Sequence, residues 1–265
     1  MSHLPQAEFL PDGRRLHLHH GPIDLIVGFE GANRDLAFSR ATRRFQSILT
    51  ELVDELPRLH HHYAGQTFAS SIARRMARAV APFAEERFVT PMAAVAGSVA
   101  EEVLGAMHGI ALDKAFVNNG GDIAFRLAAG QSIHVLGPAG EIEVTSNDPA
   151  RGVATSGWRG RSSSLGIADA VTVLARTAAQ ADAATTLIAN EVDLPGHPAV
   201  IRRPAYEVET HPELGDRLVT VDVGPLSRAE IAEALGRGEA FAAQCRARGL
   251  IEGAMLALQG ETRLV

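Results

Sequence analysis

The chain has 265 residues, of which 46% are hydrophobic and 21% charged, an ordinary globular composition. Its net charge of -6, from 25 Lys and Arg against 31 Asp and Glu, argues against a general nucleic-acid-binding protein, because such proteins usually present a basic face. The single cysteine, Cys245, excludes an intramolecular disulfide and a cysteine-rich zinc site.

The first ninety residues are predicted to form a hairpin followed by two helices. Strands fall in "AEFL" and in the run "RLHLHHGPIDLIVGFEG", whose alternating and continuous apolar residues indicate half-exposed and buried strands. Apolar residues at helical spacing run from Asn33 to about Leu56, and Pro57 is expected to end this helix. A second helix is predicted from about Thr67 to Val80.

A third helix is predicted to begin at Thr90, a candidate N-cap followed by Pro91, and to end near Gly109. Strands follow in "KAFVNN", "DIAFRL", "SIHVLG", "EIEVTS", "VATSG" and "DAVTVLA". Then come a helix "TAAQADAATTLIANEV", a strand "RLVTVDVG", a helix with a capping box at Ser227 and Glu230, and a strand "AMLALQGE". Because many successive strands are joined by short turns, we predict an α+β fold with a largely antiparallel sheet and packed helices, in one domain of residues 1–265.

The stretch "VNNGGDIA" interrupts two predicted strands with polar residues and glycines. Asn-Gly is typical of a tight hairpin turn, since glycine accepts positive φ. The same glycines would also let a ligand approach the backbone closely. Both interpretations, a plain hairpin and a ligand-binding turn, are open from these residues alone.

Asp182 and Thr186 lie four residues apart on a predicted helix, so they share one helix face. A carboxylate and a hydroxyl there could both ligate a hard cation such as Mg²⁺, which prefers oxygen ligands and keeps waters and substrate phosphates as its other partners. The alternative is that Asp182 stabilises the dipole of its own helix N-terminus.

The segment "GVATSG" offers Thr155, Ser156 and backbone N–H groups that could hold phosphate oxygens, although a strand end would look the same. Arg159 and Arg161 follow it and could contact phosphate or lie on a solvated loop. The histidine clusters "HLHH" and "HHH" have no acidic or cysteine companion nearby and do not predict a zinc site.

The N-terminus shows neither a basic leader nor an apolar stretch of signal-peptide length, and no apolar run approaches the ~20 residues that span a bilayer. We therefore expect a cytoplasmic protein that binds neither membranes nor nucleic acid.

Several segments, in this order, resemble a known family. "GSVAEEVLGAMHGIALDKAFVNNGGDIA", "GVATSG" and "VTVLARTAAQADAATT" are similar to motifs of ApbE-like flavin transferases over about residues 90 to 190. The whole chain, and "FVTPMAAVAG" in particular, resembles the UPF0280 family of the same superfamily.

The resemblance implies an ApbE/T-fold-like architecture that binds FAD with Mg²⁺ at its pyrophosphate. It also implies a flavin or nucleotide ligand and an acceptor protein whose Ser or Thr receives FMN. Independently of the resemblance, the alanine-rich helix that begins near Thr90 could pack across a homodimer as easily as within one chain. Asp182 and Thr186 correspond to the metal-binding positions of the family. The corresponding cofactor-binding candidates are Glu101, Asn119, Gly120, Gly121, Asp122, Thr155, Ser156 and Gly157, with Gly97 and Asn118 in the same motifs.

The chain departs from the family in one segment. ApbE enzymes carry "H-I-x-D-P-x-T-G" between the strands that correspond to "VATSG" and "VTV", whereas this chain has "WRGRSSSLGIADA" there. Whether the protein transfers FMN, cleaves FAD or only binds its ligand is therefore open. A non-catalytic ligand-binding or accessory protein, and an enzyme acting on another phosphorylated or pterin-like metabolite, are the alternatives.

Overall fold

The structure is a computed structural model that describes residues 4–160, 162–208 and 214–265. Its centre is an antiparallel sheet of nine strands. Across the sheet the strands are β1 (Gln6–Phe9), β2 (Leu16–His20), β3 (Ile23–Glu30), β4 (Lys114–Asn119), β5 (Asp122–Leu127), β8 (Gly152–Ser156), β9 (Ala170–Ala175), β12 (Gly253–Leu258) and β13 (Glu261–Leu264). The predicted α+β fold with a largely antiparallel sheet is confirmed.

Two further antiparallel pairs form small sheets of their own. They are β6 (Ser132–Gly137) with β7 (Gly140–Thr145), and β10 (Val200–Pro204) with β11 (Leu218–Val223). The sequence pattern predicted the first pair and β11, but not β10 or the closing strand β13.

The helices are α1 (Arg34–Leu59), α2 (Ser71–Val80), α3 (Val95–Ala106), α4 (Ala178–Glu191), the short α5 (Ala205–Val208) and α6 (Arg228–Ala247). Helix α3 packs on β4 and β5, helix α4 packs on β8 and β9, and the two helices contact each other. Helices α1 and α2 contact α3, and α6 contacts α4. Helix α1 also packs on β2 and β3, and α6 on β12 and β13, so the helices cover the sheet side by side. In the part of the chain that the structure describes, no helix is long and apolar enough to cross a membrane.

The first helix extends three residues beyond its predicted last residue, Leu56. Pro57 lies inside the last turn of α1, which runs to Leu59. A proline removes one backbone donor. However, His60 N–H still donates to the carbonyl of Leu56 at 3.0 Å, so helical bonding continues past the proline.

Two predicted helix starts also differ from the structure. Helix α2 begins at Ser71, because the hydroxyl of Ser70 caps it by accepting from Ala73 N–H at 3.2 Å. Thr90 makes no side-chain cap; it precedes a 3₁₀ turn, Pro91–Ala94, that leads into α3. The capping box of Ser227 and Glu230 at the start of α6 is confirmed.

Close packing of α3 against α4 depends on Gly97. A Cβ atom added at Gly97 would lie 2.3 Å from the carbonyl oxygen of Ala178, at the start of α4. That contact is with backbone, which cannot move aside as a side-chain tip can. The glycine therefore sets how near the first turn of α3 can come to α4.

We predict that Gly97→Ala destabilises the fold by about 1–3 kcal/mol, the usual cost of overpacking a well-packed contact. Gly105→Ala on the same helix is the matched control, because a Cβ there meets nothing within 4 Å. This control is expected to be neutral or to stabilise by up to ~1 kcal/mol through helix propensity. Urea unfolding of both variants measures the difference, and equal midpoints would contradict the packing role of Gly97.

Candidate functional site

The stretch "NNGGD" forms a tight hairpin whose end carries Asp122. Gly120 and Gly121 join β4 to β5, and Asn119 is paired with Asp122 across the turn. Their φ angles of +65° and +117° are both positive, as the favoured two-residue hairpin turn requires. Asn118 Oδ1 accepts from Gly121 N–H at 2.8 Å and closes the turn. The hairpin interpretation is confirmed.

Asp182 is a buried carboxylate, 8% exposed, that caps the neighbouring helix. Its Oδ2 accepts from Gly97 N–H in the first turn of α3 at 2.9 Å. Its own helix, α4, is capped instead by Thr177, whose Oγ1 accepts from Gln180 N–H at 3.2 Å. The interpretation that Asp182 stabilises its own helix N-terminus is therefore wrong, because Asp182 lies beyond the first turn of α4.

Two carboxylates meet at this site. Burial, and then the negative charge of Asp122, raise the pKa of Asp182 well above its ordinary value, although the backbone N–H groups of Gly97 and Ala96 act in the opposite direction. Asp122 Oδ1 also accepts from Thr155 N–H at 3.2 Å, which ties the start of β5 to β8. A cation between Asp122 and Asp182 would relieve their repulsion and hold both carboxylates ionised.

Three polar side chains follow one face of α4 at intervals of four residues: Asp182, Thr186 and Asn190. Thr186 is half-buried and makes no side-chain hydrogen bond with the residues that the structure describes. Asn190 Oδ1 accepts from Leu165 N–H at 2.9 Å and from the Ser164 hydroxyl at 3.2 Å, so it holds the loop after β8. Asn190 was missed from the sequence, although its spacing from Thr186 could have identified it.

These elements enclose a pocket of about 360 Å³. Its lining comprises Phe88, Val89, Thr90, Met92, Ala93, Val95, Ala96, Asp122, Thr155, Ser156, Ser162, Ser163, Leu165, Asp182, Thr186, Leu187, Asn190 and Leu214. Asp122, Thr155 and Asp182 therefore border one cavity. Among the described lining residues there is no lysine, arginine or histidine, and the charged side chains among them are the two aspartates.

The turn before α3 was missed as a part of this pocket. The residues of "FVTPMAAVAG" supply one wall of it, from Phe88 through Ala96. The only signal in the sequence was the family resemblance of this phrase, because its side chains are mostly small and apolar.

Two predicted cofactor residues lie outside the pocket lining. Glu101 pairs with Arg75 at 2.9 Å and accepts from Ala179 N–H at 3.4 Å, at the start of α4. Asn119 is buried, and its Nδ2 donates to the carbonyl of Ala96 at 3.1 Å. The structure gives Glu101 polar partners on α2 and α4, and Asn119 one on α3, rather than a place on the cavity wall.

The predicted glycines and Arg159 are likewise not among the described lining residues. Gly120 and Gly121 form the hairpin turn, and a Cβ at Gly157 would lie 2.4 Å from the carbonyl oxygen of Asp169. Arg159 pairs with the Asp169 carboxylate at 3.3 Å and is largely exposed. Arg161 lies outside the described residues.

A larger concavity, of about 870 Å³, lies beside α1 and the β1–β2 turn. Most of its charged groups are paired with one another, as Arg15 is with Asp12 at 2.6 Å and Lys114 with Glu30 at 3.5 Å. We regard the smaller pocket as the functional candidate because the buried carboxylate of Asp182 lies beside Asp122 there.

The fold and the pocket can now be compared with known proteins. The structure resembles that of the flavinyl transferase ApbE from Pseudomonas stutzeri, with a TM-score of 0.53 over 99% of this chain and 95% of that one, at 12% identity. A mutant of the flavin transferase ApbE from Vibrio cholerae matches with a TM-score of 0.50, over 95% and 97% of the two chains and at 12% identity. The protein therefore has the ApbE fold.

Sequence comparison gives the family. A family model described as AbpE bacteria matches residues 7–264, and the chain belongs to that family. A UPF0280 protein from Methanothrix thermoacetophila is 32% identical over 177 residues, which cover 62% of this chain and 71% of that protein. A UPF0280 protein from Methanopyrus kandleri is 39% identical over 134 residues, which cover 46% and 49%. The predicted UPF0280 and ApbE-like relationship is confirmed, and the match to the second relative spans about half of its length.

Proposed function

We propose that the pocket binds a divalent cation, best suited to Mg²⁺, through Asp182 and Thr186, and that this cation holds the phosphate groups of a flavin nucleotide such as FAD or FMN. The observation that carries the proposal is the buried carboxylate of Asp182 beside the second carboxylate of Asp122, in a pocket that Thr186 also lines. A phosphate ester could not lie beside two carboxylates without a cation between them.

The available ligand atoms suit a hard cation that keeps other partners. Within the described ranges, no group of three or more His, Cys, Asp or Glu residues is placed to hold a metal. This argues against a closed zinc centre, which needs four protein ligands. Mg²⁺ is usually bound by one or two carboxylates, waters and substrate phosphates, and Asp182, Asp122 and the Thr186 hydroxyl match that pattern. When bound, it would supply positive charge beside the phosphate oxygens.

The ligand class is inferred from the family and from the size of the pocket. Solved proteins with this fold are named flavin transferases, and the chain belongs to an AbpE family. A volume of about 360 Å³ lies near the lower end of the usual range of ~300–1,000 Å³ for ligand sites. We therefore expect the phosphate-bearing part of the nucleotide to enter it, contacting Asp122 through the cation and Ser156 directly, while Thr155 N–H holds Asp122 in place.

Catalysis is a separate question from binding. The segment between β8 and β9 lacks the histidine-bearing motif, and no histidine is among the described residues that line the pocket. Proton-transfer groups typically contribute ~10²–10⁴-fold in rate. We therefore propose that FMN transfer to an acceptor protein is slow or absent, which also supports the second candidate function, a flavin-binding accessory protein.

An acceptor assay distinguishes the two functions. The protein is incubated with FAD, Mg²⁺ and a flavinylatable acceptor, and covalent labelling is read by in-gel fluorescence alongside AMP release. We expect FAD to bind in a Mg²⁺-dependent way with little labelling. Rapid labelling coupled to AMP release would overturn the accessory role and would require another residue to replace the missing histidine.

Thr186 offers a test with a matched neighbour. We predict that Thr186→Val lowers Mg²⁺ affinity by about tenfold, the effect of losing one good ligand interaction of ~1.4 kcal/mol, and leaves stability nearly unchanged. Thr185, one residue earlier, is buried, and its hydroxyl donates to the Val171 carbonyl at 2.7 Å. Thr185→Val should do the reverse, losing about 1 kcal/mol of stability. Calorimetric titration and urea unfolding of both variants measure this, and equal Mg²⁺ affinity in Thr186→Val and wild type would argue against a ligand role.

A further inference from the structure

A second pocket, of about 430 Å³, lies at the opposite end of β5 from Asp122. Four arginines line it, Arg75, Arg126, Arg151 and Arg176, with His108 and with Glu101 as the acid among the described lining residues. Asp122 and Arg126 lie on the same strand face four residues apart, so the two pockets are separated by about 13 Å at ~3.3 Å per residue. We propose that this second pocket binds a small oxyanion, a phosphate or carboxylate group.

The main reason is the state of Arg126. This guanidinium is half-buried, and its Nη1 is shielded from solvent without a hydrogen-bond partner among the residues that the structure describes. The side chain also makes no ion pair with any of those residues. A guanidinium carries five donors and remains charged, so a shielded, unpartnered one is unfavourable unless an acceptor reaches it.

The neighbouring acids do not supply that acceptor, because each has a cationic partner already. Glu101 pairs with Arg75 at 2.9 Å, and Glu252 pairs with Arg176 at 3.0 Å. Arg151 is held by backbone carbonyl groups, one of them that of Ser146 at 2.8 Å. The pocket therefore keeps a net positive charge and an unused set of donors on Arg126.

The geometry suits an anion of modest size. Arginine matches carboxylate and phosphate oxygens with two parallel N–H bonds, which is why it is frequent where such groups are recognised. Helix α4 starts at the edge of the same pocket, where Thr177 is its N-cap. The positive end of the helix dipole therefore adds to the attraction for an anion. This site depends neither on Mg²⁺ nor on the aspartates of the first pocket.

Titration with inorganic phosphate and, separately, with citrate tests the proposal. Both are run by calorimetry at constant ionic strength and without divalent cations, on wild type, Arg126→Met and Arg237→Met. Methionine keeps the length of the arginine stem, and Arg237 lies on the exposed face of α6. Wild type and Arg237→Met should bind at least one of the two anions, and Arg126→Met should bind it at least about tenfold more weakly, as expected for one lost charge-assisted interaction.

The two anions separate the chemistries, since binding of phosphate alone indicates a phosphate group and binding of citrate alone a carboxylate. Circular dichroism checks that Arg126→Met is folded. If it is not, Arg126→Gln takes its place, because glutamine removes the charge but keeps a polar side chain at this position, and the same loss of affinity is expected. Failure of wild type to bind either anion, or equal binding by wild type and the folded variant, would overturn the proposal.

Discussion

Asp182→Asn is expected to stabilise the cation-free protein at neutral pH and to abolish its affinity for Mg²⁺. Burial, with the charge of Asp122 beside it, raises the pKa of Asp182, so ionising this carboxyl in the folded protein is unfavourable. Asparagine has nearly the same shape and is neutral. Its side-chain oxygen can still accept from Gly97 N–H, so the cap on α3 is kept.

The pH dependence follows from the same shift in the pKa of Asp182. A carboxyl whose pKa is raised in the folded state favours folding below its unfolded pKa, near 4, and loses that contribution as pH rises through its folded pKa. The stability of wild type relative to Asp182→Asn should therefore fall as pH rises from about 4 upwards. Mg²⁺ should restore wild-type stability, and more so at higher pH, because the cation binds the ionised carboxylate.

Thermal unfolding of both proteins between pH 4 and 8, with EDTA or with Mg²⁺, measures these differences. The exposed Asp54 on α1 provides the control variant Asp54→Asn, which should follow wild type under every condition. A wild-type protein that is more stable than Asp182→Asn at pH 8 in EDTA would show that the ionised carboxylate of Asp182 does not destabilise the folded protein.

Glu102→Ala is expected to cause the largest loss of stability, about 3–5 kcal/mol, as for breaking a buried ion pair on one side. Glu102 is 10% exposed and accepts from Arg44 Nε at 2.9 Å and from the Ser71 hydroxyl at 2.6 Å. It also pairs with Arg75 Nη1, so it joins α1 and α2 to α3. Burial acts to raise the pKa of Glu102, but these hydrogen bonds and the positive charge of Arg75 outweigh it and lower the pKa.

Because the pKa of Glu102 is lowered in the folded state, its contribution is present above the unfolded value and is lost as pH falls through the folded one. The cost of Glu102→Ala should therefore shrink in acid. The exposed Glu233 on α6 gives the matched control, Glu233→Ala, which should change stability by less than ~0.5 kcal/mol. Guanidinium unfolding at pH 7 and pH 3 measures both variants. Equal stabilities at pH 7 would contradict a central role for this network.

Much of the fold followed from local sequence patterns. Periodicity and turn residues located α4 and α6 and both strands of the "NNGGD" hairpin. The missed strands β10 and β13, "VIRRP" and "ETRL", show no alternation of apolar and polar residues that would mark a strand. Pro57 was expected to end α1, but a proline removes only its own backbone donor. The hydrogen bond from His60 N–H to the Leu56 carbonyl still forms, so the helix continues to Leu59.

The candidate site was predictable to the extent that it depends on one element or on the family resemblance. The spacing of Asp182 and Thr186 placed both on one face of α4, and the resemblance suggested that Asp122 joins them. The contacts of the Glu101 side chain could not be predicted, because its partners Arg75 and Ala179 come from other helices. Likewise, the role of Asp182 as a cap for α3 requires a contact across about eighty-five residues of chain. The single domain, the cytoplasmic location and a homodimer stay predictions.

Calorimetric titration of FAD into the protein, with Mg²⁺ and then with EDTA, tests the central claim most directly. We predict binding in Mg²⁺ that is lost in EDTA and is absent in Asp182→Asn under both conditions, while Asp54→Asn binds like wild type. Equal FAD binding in Mg²⁺ and EDTA, unchanged by Asp182→Asn, would contradict the claim that a cation held by Asp182 and Thr186 binds the phosphates of the ligand.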